Sequence, residues 1–167
     1  MRFVSRGIAA STLGLMLLAA DAMAAGSAPL EPASPLDRLV GRWVGEGRLG
    51  VKDAQSENVK CRVTYIPAGT VDQLKQTVRC ASAGGSIEVQ STITHAAGDI
   101  SGTWSELTRN MQGDLTGQVT PRGFHVTVRG ADLTANMNVV INGEKQIIEI
   151  QFHNSSLIGL TLVLAKG

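Results

Sequence analysis

From residue 41 to the C-terminus, apolar and polar residues alternate with a period of two, and turn-forming residues recur at intervals of about ten. This period is typical of β-strands with one buried face. The connections between the predicted strands are short, which favours antiparallel pairing of neighbours in the chain. The pattern predicts an all-β sandwich or barrel of about ten strands. We place them at 41–51, 58–66, 74–81, 86–95, 100–108, 111–120, 123–129, 133–141, 144–153 and 157–165.

One hairpin can be given a register from its turn. Asn142-Gly143 is a preferred dipeptide of the two-residue type I′ turn. A two-residue loop at this point would pair Val139 with Gln146 and leave one face of the hairpin nearly all apolar. The hairpin therefore has a predicted inside and outside.

A short helix is predicted before the first strand. Ser34 is a suitable N-cap residue, a proline follows it at the first helical position, and Gly41 lies after the end. The apolar stripe of this helix, which contains Leu36 and Leu39, is only large enough to cover an opening or an edge.

The N-terminus has the pattern of a signal peptide. Two arginines precede an apolar run at 8–20 that is too short to span a bilayer, and Ala-Met-Ala at 22–24 is a typical cleavage signal. We therefore predict a signal peptide at 1–24, a flexible leader rich in small residues and proline at 25–34, and a folded domain at 35–167. Export predicts a periplasmic or secreted protein.

The two cysteines both lie in the exported part of the chain. An even count in an oxidising compartment favours a disulfide. If the turn at 67–70 places Tyr65 opposite Gln76, then Cys61 falls opposite Cys80, close enough for a bridge between neighbouring strands. The spacing of the cysteines matches no zinc site, so we predict no metal.

Composition and charge exclude several partners. The chain contains 15 lysines and arginines against 14 acidic residues, so it lacks the positive charge that holds a phosphate backbone, and nucleic acid is not an expected partner. A membrane-spanning barrel needs two girdles of aromatic residues. The chain has only two Trp, one Tyr and three Phe, one of them in the predicted signal peptide. We do not expect a membrane-spanning protein.

The first strand resembles the opening strand of the calycin barrels. The segment 41–47 reads Gly-Arg-Trp-Val-Gly-Glu-Gly and is similar to the G-x-W of lipocalins and fatty-acid-binding proteins, and more fully to the G-x-W-x-G-x-G of nitrobindin-like proteins. The resemblance implies a closed barrel in which Trp43 plugs one end. Gly41, Gly45 and Gly47 would have structural roles and let the strand bend.

Two positions depart from these families. Nitrobindin-like proteins hold haem with a His at the start of the final strand, where this chain has no His, and His153 lies several residues earlier. We therefore predict no cofactor and regard haem as disfavoured. Lipocalins stack an Arg on the Trp near the end of the barrel, whereas this chain offers Lys166.

The candidate ligand-binding residues are Trp104, Tyr65, Met137 and Phe152. Met137 and Phe152 lie on the apolar face of the hairpin that turns at Asn142-Gly143. Trp104 lies in a stretch of small and polar residues, so it is a candidate for a pocket wall, although an aromatic ring also packs well over glycine across strands. Polar contacts inside a pocket could come from Tyr65, Arg62, Arg79, Glu88 and Glu106, which are otherwise solvated outward-facing residues.

No catalytic motif is present, so an enzyme is not expected. We predict an exported protein that binds a small apolar or amphipathic molecule in a lipocalin-like barrel, which requires a cavity of a few hundred Å³. One alternative is a periplasmic protease inhibitor whose leader inserts into an exported target protein.

The other alternative is an envelope protein-interaction module that uses the last strand. Residues 157–165 are apolar on both faces, so both faces need cover. The barrel interior would cover one face, and the short helix or a second protomer would cover the other.

Overall fold

The structure is a computed structural model that describes residues 34–167, apart from the side chain of Val71. The predicted signal peptide, and the predicted leader except Ser34, lie outside the described residues. The described chain forms a 3-10 helix at Asp37–Leu39 and ten strands. These are β1 (Gly41–Val51), β2 (Glu57–Ala68), β3 (Thr70–Ser82), β4 (Gly85–Ala96), β5 (Asp99–Glu106), β6 (Met111–Thr120), β7 (Gly123–Gly130), β8 (Thr134–Asn142), β9 (Lys145–His153) and β10 (Leu157–Lys166).

The ten strands form one closed antiparallel barrel, which confirms the predicted fold class. Each strand pairs with its neighbours in the chain, and β1 also pairs with β10 from Trp43 opposite Lys166 to Val51 opposite Leu157. Closure removes the unpaired edges that an open sheet of the same strands would expose. It also gives every strand an inner and an outer face.

The register of the β2–β3 hairpin is the predicted one. Tyr65 lies opposite Gln76 and Cys61 lies opposite Cys80. The two cysteines form a disulfide with their Cα atoms 4.2 Å apart, so the predicted bridge is confirmed.

The predicted register of the β8–β9 hairpin was wrong by two residues. Val139 pairs with Ile148, and Asn142 with Lys145, so Asn142 ends the strand and is not part of the loop. The loop begins at Gly143, whose φ of 58° suits the first loop position of a type II′ turn. A shift of two residues keeps every side chain on its predicted face, which is why the apolar pattern did not reveal it.

The predicted N-terminal helix is reduced to the three-residue 3-10 helix, which starts after Leu36 and not after Ser34. Leu36 and Leu39 are nearly inaccessible, and Trp43 donates a hydrogen bond from Nε1 to the carbonyl oxygen of Leu39 over 2.7 Å. A single turn is enough to close this end of the barrel, so a longer helix is not needed. No helix within residues 34–167 is long and apolar enough to cross a membrane.

Glycines allow β1 to approach β10 closely. A Cβ atom on Gly45 would overlap the carbonyl oxygen of Val163, and one on Gly47 would overlap that of Thr161. Any larger residue would push the two strands apart where the barrel closes. Gly41, at the start of β1, has a φ of 123°, which a residue with a side chain rarely adopts.

The outer face of β10 is not covered by the described chain. Val163 is 52% exposed and Ile158 is 57% exposed. The expectation that the short helix covers this face was wrong, because its apolar residues turn into the end of the barrel instead. Cover by a second protomer remains a prediction.

Candidate functional site

The barrel has one filled end and one open end. At the end that carries the 3-10 helix, large side chains are almost completely buried and fill the interior: Leu36, Leu39, Trp43, Tyr65, Leu74, Ile93, Ile100, Phe124, Val139 and Leu164. The ammonium of Lys166 lies 5.3 Å from the centroid of the Trp43 ring, the position expected for a cation–π contact. The interior is therefore closed on this side.

The opposite half of the barrel contains an interior cavity of about 210 Å³. It continues into a mouth of about 500 Å³ among the loops, because the two volumes share lining residues such as Cys80, Met111 and Phe152. The cavity wall is predominantly apolar. Its apolar lining residues include Val78, Val89, Leu115, Val128, Leu133, Ala135, Met137, Ile148, Ile150, Leu160 and Leu162.

Trp104 forms one wall of this cavity. Its indole Nε1 donates a hydrogen bond to the backbone carbonyl of Arg129, 3.2 Å away on β7. The ring therefore reaches from β5 across β6 to β7, where Gly113 and Gly130 lie opposite each other and leave room for it. Trp104 combines both sequence interpretations, since it packs over glycine and also lines a pocket.

The predicted ligand-binding residues divide into two groups. Trp104, Met137 and Phe152 line the cavity, whereas Tyr65 lies beyond its inner end. The phenol of Tyr65 accepts hydrogen bonds from Nε2 of Gln76 over 3.1 Å and from Nε2 of Gln146 over 3.0 Å. Burial raises the pKa of Tyr65 to about 12 despite these two bonds. Tyr65 is therefore a neutral phenol in the core that can affect a ligand only through Gln76.

Sequence reasoning missed two polar residues at the inner end of the cavity. Gln76 and Ser91 both line it, are both about nine-tenths buried, and lie opposite each other on β3 and β4. A signal for them was available. The alternation that puts Leu74 and Val78 inside puts Gln76 inside with them, so a polar residue at an inward position marks the site.

A third buried polar residue, Gln146, belongs to the core and not to the cavity wall. It is fully inaccessible, and its Oε1 is a buried side-chain atom with no hydrogen-bond partner within the described residues. Together with Gln76 it holds the Tyr65 hydroxyl from two sides. This network ties β2, β3 and β9 together beneath the cavity.

Glu106 is a buried carboxylate near the mouth. Its two oxygens accept hydrogen bonds from the backbone amides of Thr108, over 2.9 Å, and Arg109, over 2.6 Å. Burial alone would raise the pKa of the Glu106 carboxyl, but hydrogen bonding to nearby backbone groups and to the Thr108 side chain together outweighs burial and holds the pKa below its usual value. Glu106 is therefore ionised at neutral pH, and it anchors the loop between β5 and β6.

The other polar candidates lie on the outer face of the barrel. Arg79 donates two hydrogen bonds to Glu88, of 2.9 and 3.0 Å, and Arg62 is exposed beside Arg79. The guanidinium of Arg79 holds the pKa of Glu88 below its usual value. These three residues do not reach the cavity.

The disulfide is part of the inner wall. Cys61 and Cys80 are both buried, and Cys80 borders the cavity and its mouth. It therefore fixes β2 to β3 at the level of the opening.

His153 lies on the outer face of β9, next to Phe152, which points inward. Its Nε2 is 3.1 Å from Nδ2 of Asn136 on the neighbouring strand. The structure does not bring this His to the cavity where an enclosed haem would need a ligand. Within residues 34–167 no group of three or more His, Cys, Asp or Glu could hold a metal ion.

No family model and no curated protein matches the sequence. Among solved structures, the chain is similar to the S-type phycobiliprotein lyase CPES from Guillardia theta, with a TM-score of 0.59 and 10% identity. The match covers 79% of this chain and 90% of the lyase. At this identity the similarity concerns the fold alone, and the resemblance of the first strand to the calycin families remains a prediction.

Proposed function

We propose that this protein binds a small, largely apolar molecule inside its barrel. The observation that carries the proposal is the cavity of about 210 Å³ with its own mouth, in the half of the barrel that side chains leave unfilled. Ligand sites in proteins are typically concave, mostly apolar and equipped with a few polar groups. Gln76, Ser91 and Glu106 are such groups in this cavity.

Burial of apolar surface supplies the affinity. At ~25 cal/mol per Å², a ligand that removes about 200 Å² of apolar surface from water gains about 5 kcal/mol, before the losses of translational and side-chain freedom. Micromolar affinity therefore needs additional contacts with the polar groups of the wall. The indole of Trp104 adds a flat aromatic surface against which a ring can stack.

We further propose that the protein works after export. The N-terminal signal pattern supports this proposal, and so does the disulfide between Cys61 and Cys80, because disulfides persist in oxidising compartments. The ligand would then be a molecule of the periplasm or the medium.

Binding is proposed here without catalysis. The S-type phycobiliprotein lyase is, by its name, an enzyme, but 10% identity is a likeness of fold and does not transfer an activity. Among the described residues, the ionisable groups that line the cavity are Glu106 and Arg109. The carboxylate of Glu106 is engaged by two backbone amides, so it is not poised as a base for a nucleophile.

The test is native mass spectrometry, with an absorbance scan, of the protein purified from its natural source. We expect a bound small molecule. In Ala135→Phe, a ring should fill the cavity, since Ala135 is buried and lines it, and the ligand should be lost. Asn138→Phe, which puts the same ring on the outer face of β8, is the matched control. A ligand retained in Ala135→Phe would show that it binds elsewhere.

A second candidate function is interaction with another envelope protein through the outer face of β10. The exposure of Val163 and Ile158 on that strand favours it. Its self-association form is tested by the molar mass in solution. If the wild-type protein is a monomer, self-association through β10 is ruled out. A wild-type dimer that Val163→Lys dissociates would support it.

A further inference from the structure

The inner end of the cavity is polar on one side only. Gln76 and Ser91 form this side, next to the indole of Trp104. Leu115, Met137 and Ile148 complete the lining on other strands. The polar groups are therefore concentrated at one place in an otherwise apolar space.

This polar pair lies on the side of the cavity away from the mouth. The next inward-facing pair, two residues further from the mouth along each strand, is Leu74 on β3 and Ile93 on β4. Both residues are almost inaccessible and lie outside the cavity. Tyr65 lies at the same end, opposite Gln76 on β2. A ligand that enters through the mouth therefore meets Gln76 and Ser91 with its leading end.

The Gln76 amide is held by Tyr65, on the side away from the cavity. Its Nε2 donates to the phenol of Tyr65, which Gln146 holds in turn. Within residues 34–167, Oε1 of Gln146 is the enclosed side-chain atom that has no hydrogen-bond partner. Oε1 of Gln76 and Oγ of Ser91 take part in no side-chain hydrogen bond there and are not enclosed, so both are open to the cavity that their residues line. A carbonyl oxygen can only accept, so the free atom of Gln76 requires a donor, whereas a hydroxyl can accept or donate.

A purely apolar ligand would leave both groups without water and without partners. Such unpaired polar groups lower affinity, and sites built to hydrogen-bond a ligand discriminate strongly against analogues that lack the polar group. A cationic donor is disfavoured as well, because Glu106, the acidic residue of the lining, lies toward the mouth and is already bonded to Thr108 and Arg109. The complementary leading group is a neutral donor.

We infer that the cavity takes a small, flat molecule that enters with a neutral hydroxyl or N–H group first. Gln76 accepts the hydrogen bond at Oε1, Ser91 makes the second polar contact through Oγ, and the ring of the ligand stacks on Trp104. This inference rests on the proposed binding function and specifies the chemical class of the ligand.

The experiment compares two ring compounds of nearly equal shape, 2-naphthol and 2-methylnaphthalene. Each is titrated into the disulfide-bonded ¹⁵N-labelled protein, and the two indole N–H signals are followed by NMR. The signal of Trp104 should shift with saturation, whereas that of Trp43, in the filled end, should not. We expect 2-naphthol to bind at least tenfold more tightly. A purely apolar cavity would give the opposite order, since the hydroxyl must leave water.

Two variants test the assignment to the polar pair. In Gln76→Leu and in Ser91→Ala, the preference for 2-naphthol should fall severalfold or reverse, while 2-methylnaphthalene binds as well as before or better. The outward-facing Gln90→Leu and Ser105→Ala are matched controls and should keep the preference. Because Ser91→Ala removes one oxygen atom and leaves Tyr65 untouched, it remains informative if Gln76→Leu folds poorly.

The outcomes distinguish a failure of this inference alone from a failure of the proposed function. If 2-methylnaphthalene binds more tightly to the wild type, or if the preference survives in both variants, the inference is wrong and the binding function stands. If neither compound shifts the Trp104 signal at millimolar concentration, the cavity does not take such molecules, and both proposals are overturned.

Discussion

The indole ring of Trp104 lies directly over Gly130, so that a Cβ atom added to Gly130 would be 2.8 Å from Cζ2 of the ring and 3.0 Å from the carbonyl oxygen of Gln112. Real Cβ atoms essentially never come within 3.0 Å of another atom, so the contact with Cζ2 could not form without a shift of the ring or the strand. The absence of a side chain at Gly130 is therefore what makes room for the indole of Trp104 at this point of the wall.

Gly130→Ala should push the indole into the cavity and weaken ligand binding severalfold, with a loss of stability of about 1–3 kcal/mol from overpacking. The Trp104 indole N–H signal and the urea midpoint measure the two effects. Gly50→Ala is the matched control, because its new methyl group would meet the Cβ of Ile158 at an ordinary 3.4 Å. If Gly130→Ala and Gly50→Ala gave the same indole signal and the same urea midpoint, the position of Trp104 would not depend on Gly130.

This relationship could not be predicted from the sequence, although the barrel could. The alternation of apolar and polar residues predicts which side chains of each strand face inward. The pairing of Cys61 with Cys80 predicts the register of β2 against β3. The register of β8 against β9 could not be fixed, because pairing Val139 with Gln146 or with Ile148 gives the same inner face. A turn dipeptide was the only other signal, and Asn142 belongs to the strand.

The candidate site was predictable only in part, for a different physical reason. Whether a barrel is open or filled depends on the summed volumes of side chains at one level, contributed by strands far apart in the sequence. Tyr65 and Phe152 are both large and inward, yet Tyr65 lies in the filled end and Phe152 at the cavity. The height of each residue along the barrel axis depends on the stagger between strands, and the sequence of a single strand carries no information about that stagger.

Glu106→Gln should destabilise the protein at neutral pH. An amide offers one acceptor where the carboxylate offers two oxygens to the backbone of Thr108 and Arg109, and hydrogen bonds to a charged group contribute ~1.5–3 kcal/mol. Amide hydrogen exchange at Thr108 and Arg109 should become faster. Glu149→Gln, on the outer face of β9, is the control and should leave both measurements unchanged.

The difference in the free energy of unfolding between the wild type and Glu106→Gln should also depend on pH. Because the pKa of Glu106 is lower in the folded protein than in the unfolded chain, the carboxylate stabilises the fold fully above the unfolded value of about 4.3. The advantage should disappear as the pH falls below that value and through the folded pKa. Urea unfolding of both proteins at pH 7 and near pH 3 measures it, and a difference that is equal at the two pH values would contradict this role.

Reduction of the disulfide should lower stability by about 3 kcal/mol in the loop-entropy model. The cross-link between Cys61 and Cys80 spans 19 residues. Urea unfolding of the oxidised protein, the reduced protein and the double variant Cys61→Ala/Cys80→Ala separates two contributions, because the reduced protein keeps both sulfur atoms in the wall. We expect most of the loss already on reduction. A reduced protein as stable as the oxidised one would show that packing, and not the cross-link, is what the cysteines provide.

Trp43→Phe should open the filled end of the barrel. The variant removes the hydrogen bond from the indole to the carbonyl oxygen of Leu39 and part of the ring near Leu36. We expect the free energy of unfolding to fall by about 2 kcal/mol, because an unpaired buried acceptor and a small void are left behind.

The contact between Lys166 and the ring should contribute less to stability. Lys166→Met keeps the apolar stem over the indole but removes the charge, so its effect should be smaller, and Lys166→Arg should retain the cation–π contact. Binding at Trp104 should persist in all three, since the cavity lies in the other half. Loss of binding in Trp43→Phe at full folding would mean that the two halves of the barrel are coupled.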